Sequence, residues 1–166
     1  MAHGSPNENE CYRQIREGKI TLSLSLWDAI YYNLGDYVLY IHQTASFFIQ
    51  HDEPVAVEEA QKMLAKTMAI RGMMEKVFFP SKIQDTDIDL IGLKEEARSI
   101  HPLIRDLLTH YVGNDTHVIS LCLSYHLHPI GPQAIPLEDA QKILASAVSL
   151  RGVLDRLKDA TNKVMG

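Results

Sequence analysis

Histidine is the residue this chain spends most conspicuously. His101, His110, His117, His126 and His128 fall within 28 residues, and His42 and His51 lie in the first half. Neutral imidazole is a common metal ligand and titrates near neutral pH. On a helix, His110 and His117 are seven residues apart and share a face, and Asp106 sits one turn before His110. If any metal site exists, these three are its ligands, built between helices as bundles build such sites. The sequence has no Glu-x-x-His and no His-Glu-x-x-His, so the ligand spacing of a di-iron bundle is absent. Capping, surface or partly buried roles account for these histidines more simply, and no metal or cofactor is expected.

A second pairing is Arg105-Asp-Leu-Leu-Thr-His110. Arg and His five positions apart, with a polar Asp106 after the Arg, resemble the R-x4-H motif of HEPN ribonucleases. The resemblance covers this motif alone. It implies a helical bundle, usually dimeric, and metal-independent RNA cleavage by the 2′-hydroxyl. His110 would then be the acid or base and Arg105 would stabilise phosphate charge. Counted at an offset of 80, the matching positions of the other half are Ser25 and Ile30, so the pair did not arise by duplication.

The third set is apolar. Trp27, Tyr31, Tyr32, Tyr37, Tyr40, Phe47 and Phe48 crowd one long helical segment and fall on more than one face, with Met68, Met73 and Met74 on the next. A single stripe is core; a wider spread leaves apolar surface for a partner, and methionine adapts to whatever covers it. Trp27, Tyr31, Tyr40, Phe47 and Met73 are the expected binding residues, and a second copy of the chain is the expected partner.

The elements that must position these residues come from a repeat. Residues 57–76, VEEAQKMLAKTMAIRGMMEK, return 80 residues later as LEDAQKILASAVSLRGVLDR, with eight of twenty positions identical. Met63, Thr67, Ile70 and Met74 in one copy and Ile143, Ala147, Leu150 and Leu154 in the other recur at helical spacing. Acids open each copy, where the helix dipole favours them. Gly72 and Gly152 each cost a helix about 1 kcal/mol relative to Ala. Beside Ala65, Ala69 and Ala145, Ser149 they predict a ridge of small residues where helices approach closely.

The chain therefore reads as all-α: a four-helix bundle of two duplicated helical hairpins, with a short extra helix before each. Residues 1–10 are a polar, flexible leader, and 11–166 are one domain with pseudo-repeats 11–82 and 87–166. Expected helices cover about 11–18, 25–50, 55–77, 87–99 and 103–128, the last bent or broken at Gly113-Asn-Asp115, and a final one ends near 163. At 166 residues the chain is long enough to bury a core.

Composition narrows function by exclusion. A net charge of −5 with no basic half, arm or tail disfavours nucleic acid. No stretch of about 18 unbroken apolar residues predicts a membrane span. Two cysteines with no CxxC fit a reducing cytoplasm better than a disulfide framework. No Gly-rich phosphate loop, GxSxG or CxxCH occurs. The expectation is a non-enzymatic, self-associating binding domain for a protein or small ligand, with the ribonuclease and the metal-binding bundle as alternatives.

Overall fold

A computed structural model of the chain describes residues 7–21, 27–78 and 101–165. Among these, every regular element is helical: α1 (Glu8–Arg16), a π-helical turn (Ala29–Leu34), α2 (Gly35–Gln50), α3 (Val57–Phe78), α4 (Pro102–Ser124) and α5 (Leu137–Met165). The helix expected at 87–99 lies outside the described residues. None of the described helices is long and apolar enough to cross a membrane.

Local chemistry explains the boundaries. α1 starts three residues before the expected Cys11, with Glu8 and Glu10 in its first turn and Arg13 and Arg16 in its last. Gly18 then turns the chain in the left-handed region, φ 75°. α4 begins with Pro102 at its first position, and His101 caps it, its Nδ1 accepting from the Leu103 amide at 3.1 Å. The expected break at Gly113-Asn-Asp115 does not occur; α4 runs unbroken to Ser124. Val112 and Thr116 are buried on either side of that triplet, so packing holds the helix through residues of low propensity.

The long helices bury the stripes that the repeat dictates. α2 packs chiefly on α5 and α3, and α4 on α3 and α5, while α1 lies against α5 and α4. Met63, Ile70, Ile143, Ala147 and Leu150 are all buried, as are Ile104, Leu108, Val112 and Ile119 from α4. Each large aliphatic side chain in such a core stabilises the fold by roughly 1.5–3 kcal/mol through burial.

The ridge of small residues does not serve as expected. Ala65, Ala69 and Ala145 are exposed, and a Cβ added at Gly72 would meet nothing within 4 Å. The buried stripe runs instead through Ala60, Met63, Thr67, Ile70 and Met74. On α5 a Cβ at Gly152 would meet Arg156 Nη1 at 3.2 Å, the flexible end of a side chain and not a neighbouring helix.

The two turns meet. Val55, before α3, and Ile135, before α5, form an isolated antiparallel bridge, each amide donating to the other's carbonyl at 2.9 Å. Both side chains are fully buried. The turn from α4 to α5 is six residues longer than that from α2 to α3, spanning 125–136 against 51–56. The long helices therefore correspond at an offset of 74, not 80. At that offset Ile30, Leu34, Val38 and Ala45 match Ile104, Leu108, Val112 and Ile119, buried in every case. Arg105 and His110 thus correspond to Tyr31 and Asp36, which replaces the matching to Ser25 and Ile30.

Candidate functional site

The π-helical turn is the local irregularity of the long first helix, and π turns are frequent at functional sites. Its wider winding inserts a residue and rotates what precedes it relative to α2. Trp27 and Tyr31 stack with ring centres 5.2 Å apart and planes 14° apart, and Tyr32 meets Tyr31 edge-on at 5.2 Å. Lys158, from α5, donates to the Tyr31 hydroxyl at 2.9 Å and holds its ammonium 4.9 Å from the ring centre. Tyr31 is thereby fixed between the two helices.

Beside it lies a groove of about 230 Å³ between α2 and α5. Tyr31, Tyr32, Gly35, Asp36 and Leu39 line one side. Arg151, Leu154 and Asp155 line the other. Gly35 leaves the floor open: a Cβ there would touch Leu154 Cδ1 at 3.9 Å. Tyr32 keeps 57% of its surface exposed. Asp36 and Asp155 are exposed, and the Asp36 carboxylate has no hydrogen-bond or ion-pair partner among the described residues.

Arg151 is engaged elsewhere. Its Nη1 donates to His42 Nδ1 at 3.2 Å, which requires that ring nitrogen to be unprotonated. Burial, then the guanidinium, lowers the His42 pKa. The corresponding arginine of the first copy, Arg71, donates to Thr116 on α4 at 3.2 Å. Each repeated helix thus sends its arginine to a long helix of the other half, and Thr116 holds the place of His42.

The expected binding residues do not form one surface. Tyr31 lines the groove, and Trp27 stacks on Tyr31. Tyr40 donates to Glu59 at 2.9 Å under the Lys66 ammonium, so it ties α2 to α3. Phe47 is 53% exposed and meets the His51 ring at 4.3 Å, tilted by 34°. Met73 is half-buried against the core.

The expected chemistry residues are dispersed as well. Arg105 and His110 both lie on α4, half-buried, with directions about 140° apart around the helix at five residues' separation. His110 stands edge-on to Tyr111 at 5.2 Å. Asp106 and His117 are exposed. Among the described residues no three His, Cys, Asp or Glu side chains lie together as a metal site, so Asp106, His110 and His117 are not gathered into one. His126 instead bonds Asp139 through Nε2 at 2.6 Å, and His51 Nδ1 bonds the Phe47 carbonyl at 2.7 Å. Another groove, shallow and of about 560 Å³, sits beside Leu121, Cys122, Ser124, Tyr125 and Asp139.

Two further polar groups were not foreseen. Asp115 occupies the place of the fully buried Ile41; burial raises its pKa, against the opposing Ser149 hydrogen bond and the nearby His110. Glu8 of α1 accepts from Tyr111 at 2.6 Å and Tyr12 at 3.0 Å and pairs with Arg156 at 3.1 Å, docking α1 onto α4 and α5.

No family model, no curated protein and no solved structure matches the chain.

Proposed function

We propose that the chain is a non-catalytic, cytoplasmic helical binding domain that recognises its ligand in the groove between the π-helical turn and α5. The domain is a four-helix bundle of two duplicated hairpins. The observation that carries the binding reading is the groove itself: exposed Tyr32, a glycine floor and rim carboxylates, held by a tyrosine locked between two helices. Such a combination of apolar wall and few oriented polar groups is what small-ligand sites have in common. The bundle reading is supported by the exchanged hydrogen bonds of Val55 and Ile135 and by the matched Arg71 and Arg151 contacts.

Trp27, the chain's single tryptophan, stacks on Tyr31 and reports on the groove. In a screen of single-ring aromatic fragments followed by Trp27 fluorescence and amide chemical shifts, binders should perturb residues 31–39 and 151–155. Substituting Tyr32 by Ala should weaken them. Fragments that bind only elsewhere would overturn this reading.

Self-association is part of the same proposal. Phe47 and Leu121 correspond at the offset of 74 and are 53% and 56% exposed; Met68 and Val148 correspond at 80 and are 53% and 50% exposed. Apolar side chains of that size kept in water at matched places favour contact between copies. Sedimentation should show a concentration-dependent mass that falls when Phe47 and Leu121 are both changed to Ser; a monomer at all concentrations would contradict self-association.

A further inference from the structure

We infer that the groove between the π-helical turn and α5 takes a planar cation, an amidinium or guanidinium group, either on a small molecule or on an arginine side chain. The inference rests on the binding reading above and names its ligand class.

Size comes first. At about 230 Å³ the groove is smaller than the roughly 300–1,000 Å³ of drug-sized pockets. It holds one flat group and a short stem. The wall offered to that group is the ring of Tyr32, more than half exposed. A ring face is negative at its centre and attracts cations, and a guanidinium stacks on it better than a compact ammonium does. Tyr31 displays the attraction of a ring for a cation within the chain, since the Lys158 ammonium lies 4.9 Å from its ring centre.

Charge decides the sign. The rim holds Asp36 from α2 and Asp155 from α5, one on each side. Neither forms an ion pair within the chain among the described residues; Arg151 keeps its positive charge but turns Nη1 to His42, so Asp36 is the rim carboxylate left for a ligand. Lys158 bonds the Tyr31 hydroxyl, and its charge also acts on Asp155 and Tyr32. A carboxylate accepts two parallel N–H bonds from a planar cation, which an ammonium cannot match. The net charge of −5 draws cations toward the surface and repels anions.

The matched place in the other half has no such character. Arg105, Asp106, Thr109 and His110 stand where Tyr31, Tyr32, Gly35 and Asp36 stand. The aromatic wall and the open floor are replaced there, although Asp106 and Glu75 are exposed carboxylates at the matched places.

The test uses the full chain, labelled with ¹⁵N, and four probes: benzamidine, N-acetyl-arginine amide, benzoate and benzyl alcohol. Benzamidine and the arginine amide should shift amides at 31–39 and 151–155 and leave 105–113 unmoved, and benzoate should shift neither set. Asp36→Asn should weaken benzamidine by at least about threefold, while Glu53→Gln, on an exposed turn, should leave it unchanged. Tighter binding of the arginine amide than of benzamidine assigns the site to a peptide, and the reverse to a small molecule. If benzoate or benzyl alcohol binds as well as benzamidine and Asp36→Asn is silent, the cation assignment is wrong while the groove remains a binding site. If no probe shifts either segment, both readings fail.

Discussion

Val55 and Ile135 exchange two backbone hydrogen bonds, each 2.9 Å long, across the point where the two halves of the chain meet. The residues are 80 positions apart and hold the same place, two residues before the start of a repeated helix. A contact between matched positions is what the proposed two-fold relation of the hairpins would produce. It also closes both turns with a single element.

Cutting that element should be costly. Ile135 is fully buried, and Ile135→Ala should destabilise the chain by about 2–5 kcal/mol through lost burial and the cavity left behind. Urea unfolding measures this. Amide exchange adds a sharper check: the Val55 and Ile135 amides should be protected to similar degrees, because each opens when the other does. A fast-exchanging Val55 beside a slow Ile135 would deny the shared bridge.

His42 should make stability depend on pH. Its folded pKa lies below the ordinary histidine value because burial and Arg151 both oppose the charged ring. The unfolded chain then binds the proton more readily than the folded one. Its contribution is complete above about pH 6.5 and is lost as pH falls toward the folded value. His42→Gln keeps an acceptor for Arg151 without titrating. The urea midpoint of the wild type should drop between pH 7 and pH 5 more than that of the variant; parallel profiles would refute the assignment.

Asp115 works with the opposite sign. Its pKa is raised, so it favours the folded state when protonated and loses that advantage as pH rises through the folded value. Asp115→Asn retains an acceptor for Ser149 and removes the charge. It should raise the urea midpoint at pH 7 and have little effect at pH 3.5. A lower midpoint at pH 7 would mean that the charged carboxylate stabilises the fold.

The two thiols should react in order. Cys11 is fully buried, and burial pushes its pKa up to about 11. Cys122 is half-buried beside an open groove. Thiolate is the reactive form and needs access as well as ionisation. Alkylation of native protein at pH 8 should mark Cys122 first and Cys11 only on unfolding, as peptide mass mapping would show. Labelling of Cys11 at the faster rate would contradict its burial on the face of α1 packed against α4 and α5.

Much of the fold was legible because helical spacing is a local property. The stripe Met63, Thr67, Ile70, Met74 and its counterpart in α5 are buried as their period requires. What escaped was set by distant contacts. The six additional residues of the second turn lie between helices, where no period constrains them, so the true match of Arg105 to Tyr31 was invisible. The ridge at Ala65 and Gly72 was misassigned because small residues permit close approach without demanding it. Gly113-Asn-Asp115 has the composition of a break, yet Val112 and Thr116 are buried around it and the helix continues.

The groove was half legible. Trp27 and Tyr31 stood out as aromatic surplus, but Asp36, Leu154 and Asp155 carry no signal until α5 is known to lie against α2. The π-helical turn has no sequence mark comparable to a proline or a cap. Arg151 and His42, 109 positions apart, could be joined only by the fold.

The most direct test of the account is the map of amide shifts on adding benzamidine to the ¹⁵N-labelled chain. A groove walled by Tyr31 and Tyr32 against α5 predicts shifts at 31–39 and 151–155 and none at 105–113 and 71–75, where those rings have no aromatic counterpart. Equal shifts at both places, or shifts confined to 105–113, would contradict it.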